Sequence, residues 1–270
     1  MIAAKTWREV RYMALVYVLL LLLLDLPVIL LWPTVYDDLK KSSLFKTLGI
    51  DFMQRIGTGI TDTREEIAYR NWIAVMLFFR AVNLLGIAAA VLMGTALFAR
   101  ERETQTLEFL LTRTVSRGRI LWQKSWPTIL CVAVPIFAVN ASAVYWSRVI
   151  ELDLPWGPLM LASLHGSLFV LAILAFTTFV SVLSRVQAHV AFWVGGVVVL
   201  QIGIYLVPRW RPWSLFRLSD FDWYGPMLAG NIGLDGMFDP VHGAGHSAWM
   251  VLAIVLFYGL AWRALHRLEP

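Results

Sequence analysis

Residues 99–124 read ARERETQTLEFLLTRTVSRGRILWQK, and the way this stretch separates two long apolar runs decides the fold. A segment this rich in Arg and Glu does not enter lipid, because an ionised residue near the centre of a span costs about 2.5–3.5 kcal/mol on insertion scales. The runs on either side are therefore separate crossings that meet the same membrane face. Placed on a helix, Leu107, Leu110 and Leu111 fall on one stripe, with Glu101, Glu108 and Thr112 opposite. Ser116 stands at the N-cap position of the following helix, which opens among Arg117, Arg119 and Lys124. The connector is thus amphipathic, charged and outside the bilayer, with leucines that need something to dock on.

The rest of the chain is membrane in character. Of 270 residues, 59% are hydrophobic and only 15% charged, with mean hydropathy +0.68. The apolar residues cluster into six runs, about 13–32, 72–98, 123–146, 158–184, 188–207 and 248–265. Each reaches the roughly 18–20 residues a helix needs to cross the hydrocarbon core. Long runs without alternation exclude a barrel, so the spans are helices with their backbone groups bonded internally. The expected class is an all-α polytopic membrane protein, a single transmembrane domain over residues 1–270 with outer loops at 33–71 and 208–247. The first run is too long for a signal-peptide core and ends at Asp25-Leu26-Pro27 without a small-residue cleavage site, which reads as an uncleaved anchor. The single cysteine, Cys131, lies inside the third run and excludes an internal disulfide.

Charge sets the expected sidedness. With a cytoplasmic N-terminus, the inner segments hold Lys5, Arg8, Arg11, Arg100, Arg102, Arg113, Arg117, Arg119, Lys124, Arg185, Arg263 and Arg267. Basic residues are then about twice as dense inside as outside, which places both termini in the cytoplasm. The formal charge of +5 is accounted for by this asymmetry, and no nucleic-acid partner is expected. In the loop 33–71, Phe45, Leu48, Phe52, Met53 and Ile56 recur at helical spacing, as in a helix lying on the outer face. Thr63 and Glu66 have capping-box spacing, which starts the second helix near residue 63. The aromatic-rich loop 208–247 is expected to form short interfacial or partly re-entrant pieces.

The string E-R-E-T-Q-T-L-E-F-L-L-T-R-T-V-S-R, with a Lys a few residues on, resembles the connector of type-2, exporter-type ABC transporter permeases. Their usual pattern is E-x-E-x-G-T-L-E-x-L-L-x-x-P-[VI]-S-R. Glu101, Glu103, Thr106, Leu107, Glu108, Leu110, Leu111, Val115, Ser116, Arg117 and Lys124 match it. Gln105 stands where Gly is usual and Thr114 where Pro is usual. The resemblance implies that the connector is a coupling helix seated on a cytoplasmic ATPase subunit, with the leucines as apolar knobs and Glu101, Glu103, Glu108 and Arg102 at the rim. It implies two ATPase copies, a second permease chain (identical or a sister), and a multi-pass location in a prokaryotic inner membrane. No G-x-x-x-x-G-K-[ST] phosphate loop is present in the sequence. The chain is therefore expected to bind no cofactor and catalyse nothing itself, with ATP and Mg on the partner. Leu107→Asp or Leu110→Asp is expected to abolish docking while leaving insertion unchanged. Burial of the leucine stripe within the chain's own fold, or its placement on the exterior side, would remove the ground for the transporter reading.

Polar residues inside the spans are the second group of candidates. Asp25 and Arg80 lie at matched depths, roughly 10 and 12 Å from the outer boundary at 1.5 Å per residue. Opposite signs at one depth predict an ion pair between the first two helices. The competing reading has Arg80 reaching outward alone. Asn83, Asn140, His165 and Gln201 sit at similar depth in spans two to five. They are expected to serve as interhelical hydrogen-bonding glue, or together to line an outer-leaflet substrate vestibule.

Two other classes have sequence support. Glu65-Glu66-x-x-x-Arg70 and Phe238-x-x-x-His242 are similar to short signatures of CAAX-protease-like membrane peptidases, although here they fall outside the apolar runs. That reading requires Glu66 and His242 to converge on one buried pocket. Asp239, His242 and His246 have a spacing compatible with a metal, but the Gly-Ala-Gly between the histidines disfavours a rigid site. A non-transporting scaffold is separated from the transporter reading by whether an ATPase co-purifies.

Overall fold

The computed structural model describes residues 2–41, 60, 64–107, 115–239 and 245–267, and among them every regular element is helical. Six helical segments are long and apolar enough to cross a membrane: Ile2–Leu30, Glu65–Glu103, Arg117–Val149, Trp156–Leu183, Gln187–Leu206 and His246–Arg267. They coincide with the six apolar runs, and the first three extend past them by a turn or more at one or both ends, where the flanking charged residues are helical too.

In chain order, α1 (Ile2–Leu30) is followed by α2 (Trp32–Lys41). The second crossing comprises α3 (Glu65–Ile73), a π-helical segment (Ala74–Leu85), α4 (Gly86–Thr95) and the short α5 (Ala99–Glu103). The third to fifth crossings are α6 (Arg117–Val149), α7 (Trp156–Leu183) and α8 (Gln187–Leu206). After two 3₁₀ turns (Arg211–Trp213, Leu215–Ser219) come α9 (Phe221–Leu228), α10 (Leu234–Phe238) and the sixth crossing, α11 (His246–Arg267).

Packing places both ends of the described chain together. Ile2, Leu97, Leu107, Ile120, Val182 and Leu265 share one apolar cluster, so the starts of α1 and α6 and the ends of α4, α7 and α11 lie at one end of the bundle, with the connector. At the distal end, Trp32 stacks on Tyr36 at 5.0 Å and meets Trp72 at 5.6 Å. There Trp72 Nε1 donates to the Val28 carbonyl at 3.0 Å. The central helix is α7, which touches α4, α6, α8 and α11. In lipid the apolar effect gives little drive for helix association, so close approach and hydrogen bonding must supply it. Gly86 and Gly94 of α4 permit that approach: a Cβ at Gly86 would fall 2.6 Å from a Val170 methyl, and one at Gly94 2.8 Å from a Thr177 methyl.

Two expectations about the loops are revised or fall outside the described residues. The surface stripe Phe45–Ile56 and Thr63 lie outside them. The second crossing begins at Glu65, with Arg64 as an extended N-cap making no side-chain capping bond. The distal segment after α8 is ordered and tucked between the helices: Tyr224 is fully buried and stacks on Phe78 at 4.7 Å, and Phe216 packs edge-on against Phe169.

Candidate functional site: the connector and its anchorage

The connector starts where α4 breaks at Thr95. Ser181 of α7 replaces the missing intrahelical bonds. Its Oγ accepts from the N–H groups of Phe98 (3.2 Å) and Ala99 (3.0 Å) and donates to the Thr95 carbonyl (3.1 Å). From α8, Gln187 Nε2 donates to Thr95 Oγ1 at 3.1 Å. From α6, Lys124 Nζ donates to the Leu97 carbonyl at 2.7 Å.

Three of the four charged residues of α5, Glu101, Arg102 and Glu103, then meet neighbouring helices. Glu101 is buried, with Oε2 2.7 Å from Lys124 Nζ and Oε1 3.1 Å from Lys5 Nζ, joining α6 and α1. Lys124 also stands 5.2 Å from the centre of the Phe98 ring. Arg102 donates to the Val182 and Leu183 carbonyls at 2.9 and 3.2 Å, at the C-terminus of α7. Glu103 Oε2 accepts the Gln187 N–H at 3.1 Å, at the N-terminus of α8. A cation on a helix C-terminus and an anion on the next N-terminus both complement the helix dipoles, each worth about 0.3–1 kcal/mol near the surface. Arg117, at the start of α6, donates to the Leu265 and His266 carbonyls at 2.7 and 2.9 Å, closing the C-terminus of α11.

This geometry corrects several expected roles. Leu107 is 3% exposed and packs in the chain's own cluster, so it is not a knob free for a partner. Glu101 is not a rim charge, because both of its oxygens face lysines of the same chain. Ser116 holds the N-cap position with extended backbone, yet its side chain makes no capping bond. Thr106 is exposed and donates to the Glu101 carbonyl at 3.3 Å, a local turn contact. Gln105, at the position where glycine is usual in the resembling pattern, adopts φ +56°, the left-handed conformation that favours glycine. Glu108, Leu110 and Leu111 lie outside the described residues. Spacing alone missed Lys5, Ser181 and Gln187. Lys124 carried a signal, as the lysine trailing the motif.

The intramembrane residues do not meet as expected. Asp25 is 2% exposed with neither carboxylate oxygen partnered, whereas Arg80 is exposed and its Nη1 contacts the Met76 sulfur at 3.7 Å, so no Asp25–Arg80 pair forms. The other polar residues are glue. Asn140 Nδ2 donates to Ser163 Oγ at 2.8 Å, between α6 and α7. Three of them hold the distal segment. Asn83 Nδ2 donates to the Ser219 carbonyl (2.9 Å) and Asn83 Oδ1 accepts from Ser219 Oγ (3.0 Å). Gln201 Oε1 accepts the Leu215 N–H at 2.9 Å. His165 Nε2 lies 2.9 Å from the Leu218 carbonyl, which can only accept, so that nitrogen carries the proton. Nδ1 lies within hydrogen-bonding distance of Ser247 Oγ, at 2.7 Å. Gln201 also lines an apolar cavity of about 270 Å³ with Phe169, Phe216 and Phe257.

The peptidase arrangement is not supported: Glu66 is exposed rather than in a buried pocket, and His242 lies outside the described residues. No group of three metal-ligating side chains occurs among the described residues, and His246 packs edge-on against Trp223 at 4.5 Å.

Among the described residues, six apolar crossings with a charged connector fastened to the ends of the helices around it define a multi-pass membrane protein. Residues 1–210 match the family model described as ABC-2 family transporter protein, and the chain belongs to that family. Comparison with curated proteins finds no match. The matched region includes the first five crossings and the connector.

Proposed function

We propose that this chain is the membrane-spanning permease subunit of an ATP-driven export system, driven through its connector by a separate cytoplasmic ATPase. Family membership supports the transporter class. The observation that carries the coupling role is the anchorage of α5, which bonds or pairs with α1, α6, α7 and α8 within five residues. A push on the connector would reach those four crossings together. Both termini and the connector then face the cytoplasm, in agreement with the density of basic residues at that end. ATP and Mg bind the partner, present in two copies, and a second permease chain completes the pathway. Nucleotide-driven approach of the ATPases would rock the two bundles between inward- and outward-facing states.

Pull-down of the full chain from mild detergent tests this reading. Recovery of a soluble ATPase is expected. Leu110→Asp should abolish that recovery while leaving the amount of chain in the membrane unchanged. Undiminished co-purification of the variant would overturn the docking role of the leucine stripe. Leu107→Asp is the poorer probe, because it places a charge in the bundle's own apolar cluster.

A further inference from the structure

Arg80 is an exposed guanidinium within an apolar crossing, and its one contact among the described residues is a thioether sulfur. Ionised side chains in spans pair, face water or mark a substrate path. Asp25, the nearest in expected depth, does not reach it. The surface below Arg80 is also distinctive. Leu84, Ala88 and Leu92 continue its exposed stripe at four-residue spacing, with Leu84 46% and Leu92 61% exposed. Beside that stripe runs a groove of about 290 Å³ between α1 and the second crossing, lined by Tyr12, Val16, Leu20, Leu85, Ala88 and Leu92. Its walls are almost entirely carbon. Arg80 lies in the π segment five residues before Leu85, the first second-crossing residue to line the groove, and so stands about one turn beyond the groove's distal end. Side chains lean toward the N-terminus of their helix, which here points Arg80 to the distal end and away from the groove floor. The guanidinium at the other end, Arg11, is already engaged: it bonds the Tyr12 hydroxyl at 3.0 Å and lies 4.7 Å above that ring.

We propose that Arg80 and the groove beneath it bind an amphiphile with an anionic phosphate or carboxylate head, the head on the guanidinium and the tail along α1. An apolar groove alone accepts any lipid chain. The charge about one turn beyond its distal end selects an anionic head, which guanidinium recognises through charge-assisted, bidentate hydrogen bonds. That this amphiphile is cargo, and not a resident lipid, rests on the transport reading above.

The full chain, delipidated in mild detergent, is titrated with dioleoylphosphatidylglycerol or dioleoylphosphatidylcholine and the retained lipid counted by native mass spectrometry. Wild type is expected to retain the anionic lipid about tenfold or more over the zwitterionic one, roughly the discrimination one charge-assisted bond supplies. Arg80→Gln should remove the preference, Arg80→Lys should keep part of it, and Arg11→Gln should leave it unchanged. Ala88→Trp, which fills the groove, should weaken retention of both lipids. Three results would overturn the proposal: a preference that survives Arg80→Gln, one lost instead in Arg11→Gln, or displacement of the lipid by equimolar inorganic phosphate, which would make this a simple anion site. No ATPase is present in this assay, so its outcome is independent of the pull-down.

Discussion

Gln105 shows how much a single backbone angle can explain. Its φ of +56° costs a residue with a Cβ about 1–2 kcal/mol, whereas glycine there gives back about 0.5–1 kcal/mol in chain entropy. The difference favours glycine by up to about 1.5 kcal/mol. Gln105→Gly should therefore tighten the connector, slowing tryptic cleavage at Arg100 and Arg102; faster cleavage would contradict the strain. The departure from pattern was legible in the sequence, but the angle that gives it meaning was not. Glu101 was legible in the opposite sense. A helical wheel set it on the polar face, and only the approach of α1 and α6 turned that face inward. Removing one partner of a buried pair costs about 3–5 kcal/mol, because the remaining charge is stranded. Lys5 still reaches Glu101, so Lys124→Met should fall at the low end of that range. Combining it with Glu101→Gln should recover most of the loss in thermal stability. A double variant no better than Lys124→Met would mean that Lys124 acts through Leu97 instead.

Element by element, hydropathy located the six crossings because lipid demands long apolar runs whatever the packing. Azimuth is a different quantity, and it explains the failed Asp25–Arg80 pair. Residue counting gives position along an axis, but the π segment from Ala74 to Leu85 re-registers every side chain around that axis, and no residue type announces it. The distal segment was legible as broken and aromatic. Its anchorage was not, because Asn83, His165 and Gln201 reach backbone groups far along the chain. At the start of α5, one side chain replaces several helix-end bonds. Ser181→Ala would leave the Phe98 and Ala99 N–H groups without that acceptor, and each buried orphan costs about 1–3 kcal/mol. Amide exchange across residues 97–103 should accelerate in that variant, while the interior of α7 keeps its protection. Unchanged exchange would show that the connector is held elsewhere.

Across the whole molecule, burial is uneven. Half or more of the apolar stretch is buried in the second, third and fourth crossings, but only 22%, 17% and 17% in α1, α8 and α11. Those three helices offer their outer faces to lipid or to another chain. Cys131 is buried and is the single cysteine, so introduced thiols can report topology with little background. In intact cells, an impermeant maleimide should label Arg209→Cys on the distal end and spare His266→Cys until the membrane is opened. The reverse pattern would invert the orientation proposed above. A last consequence belongs to the five residues of α5. One short helix that clasps the tail of one crossing and the head of the next, with lysines of two more gripping its middle, acts as a keystone. Under the coupling proposed above, four crossings held at one point would shift together, so force applied there should produce an all-or-none stroke rather than a graded one.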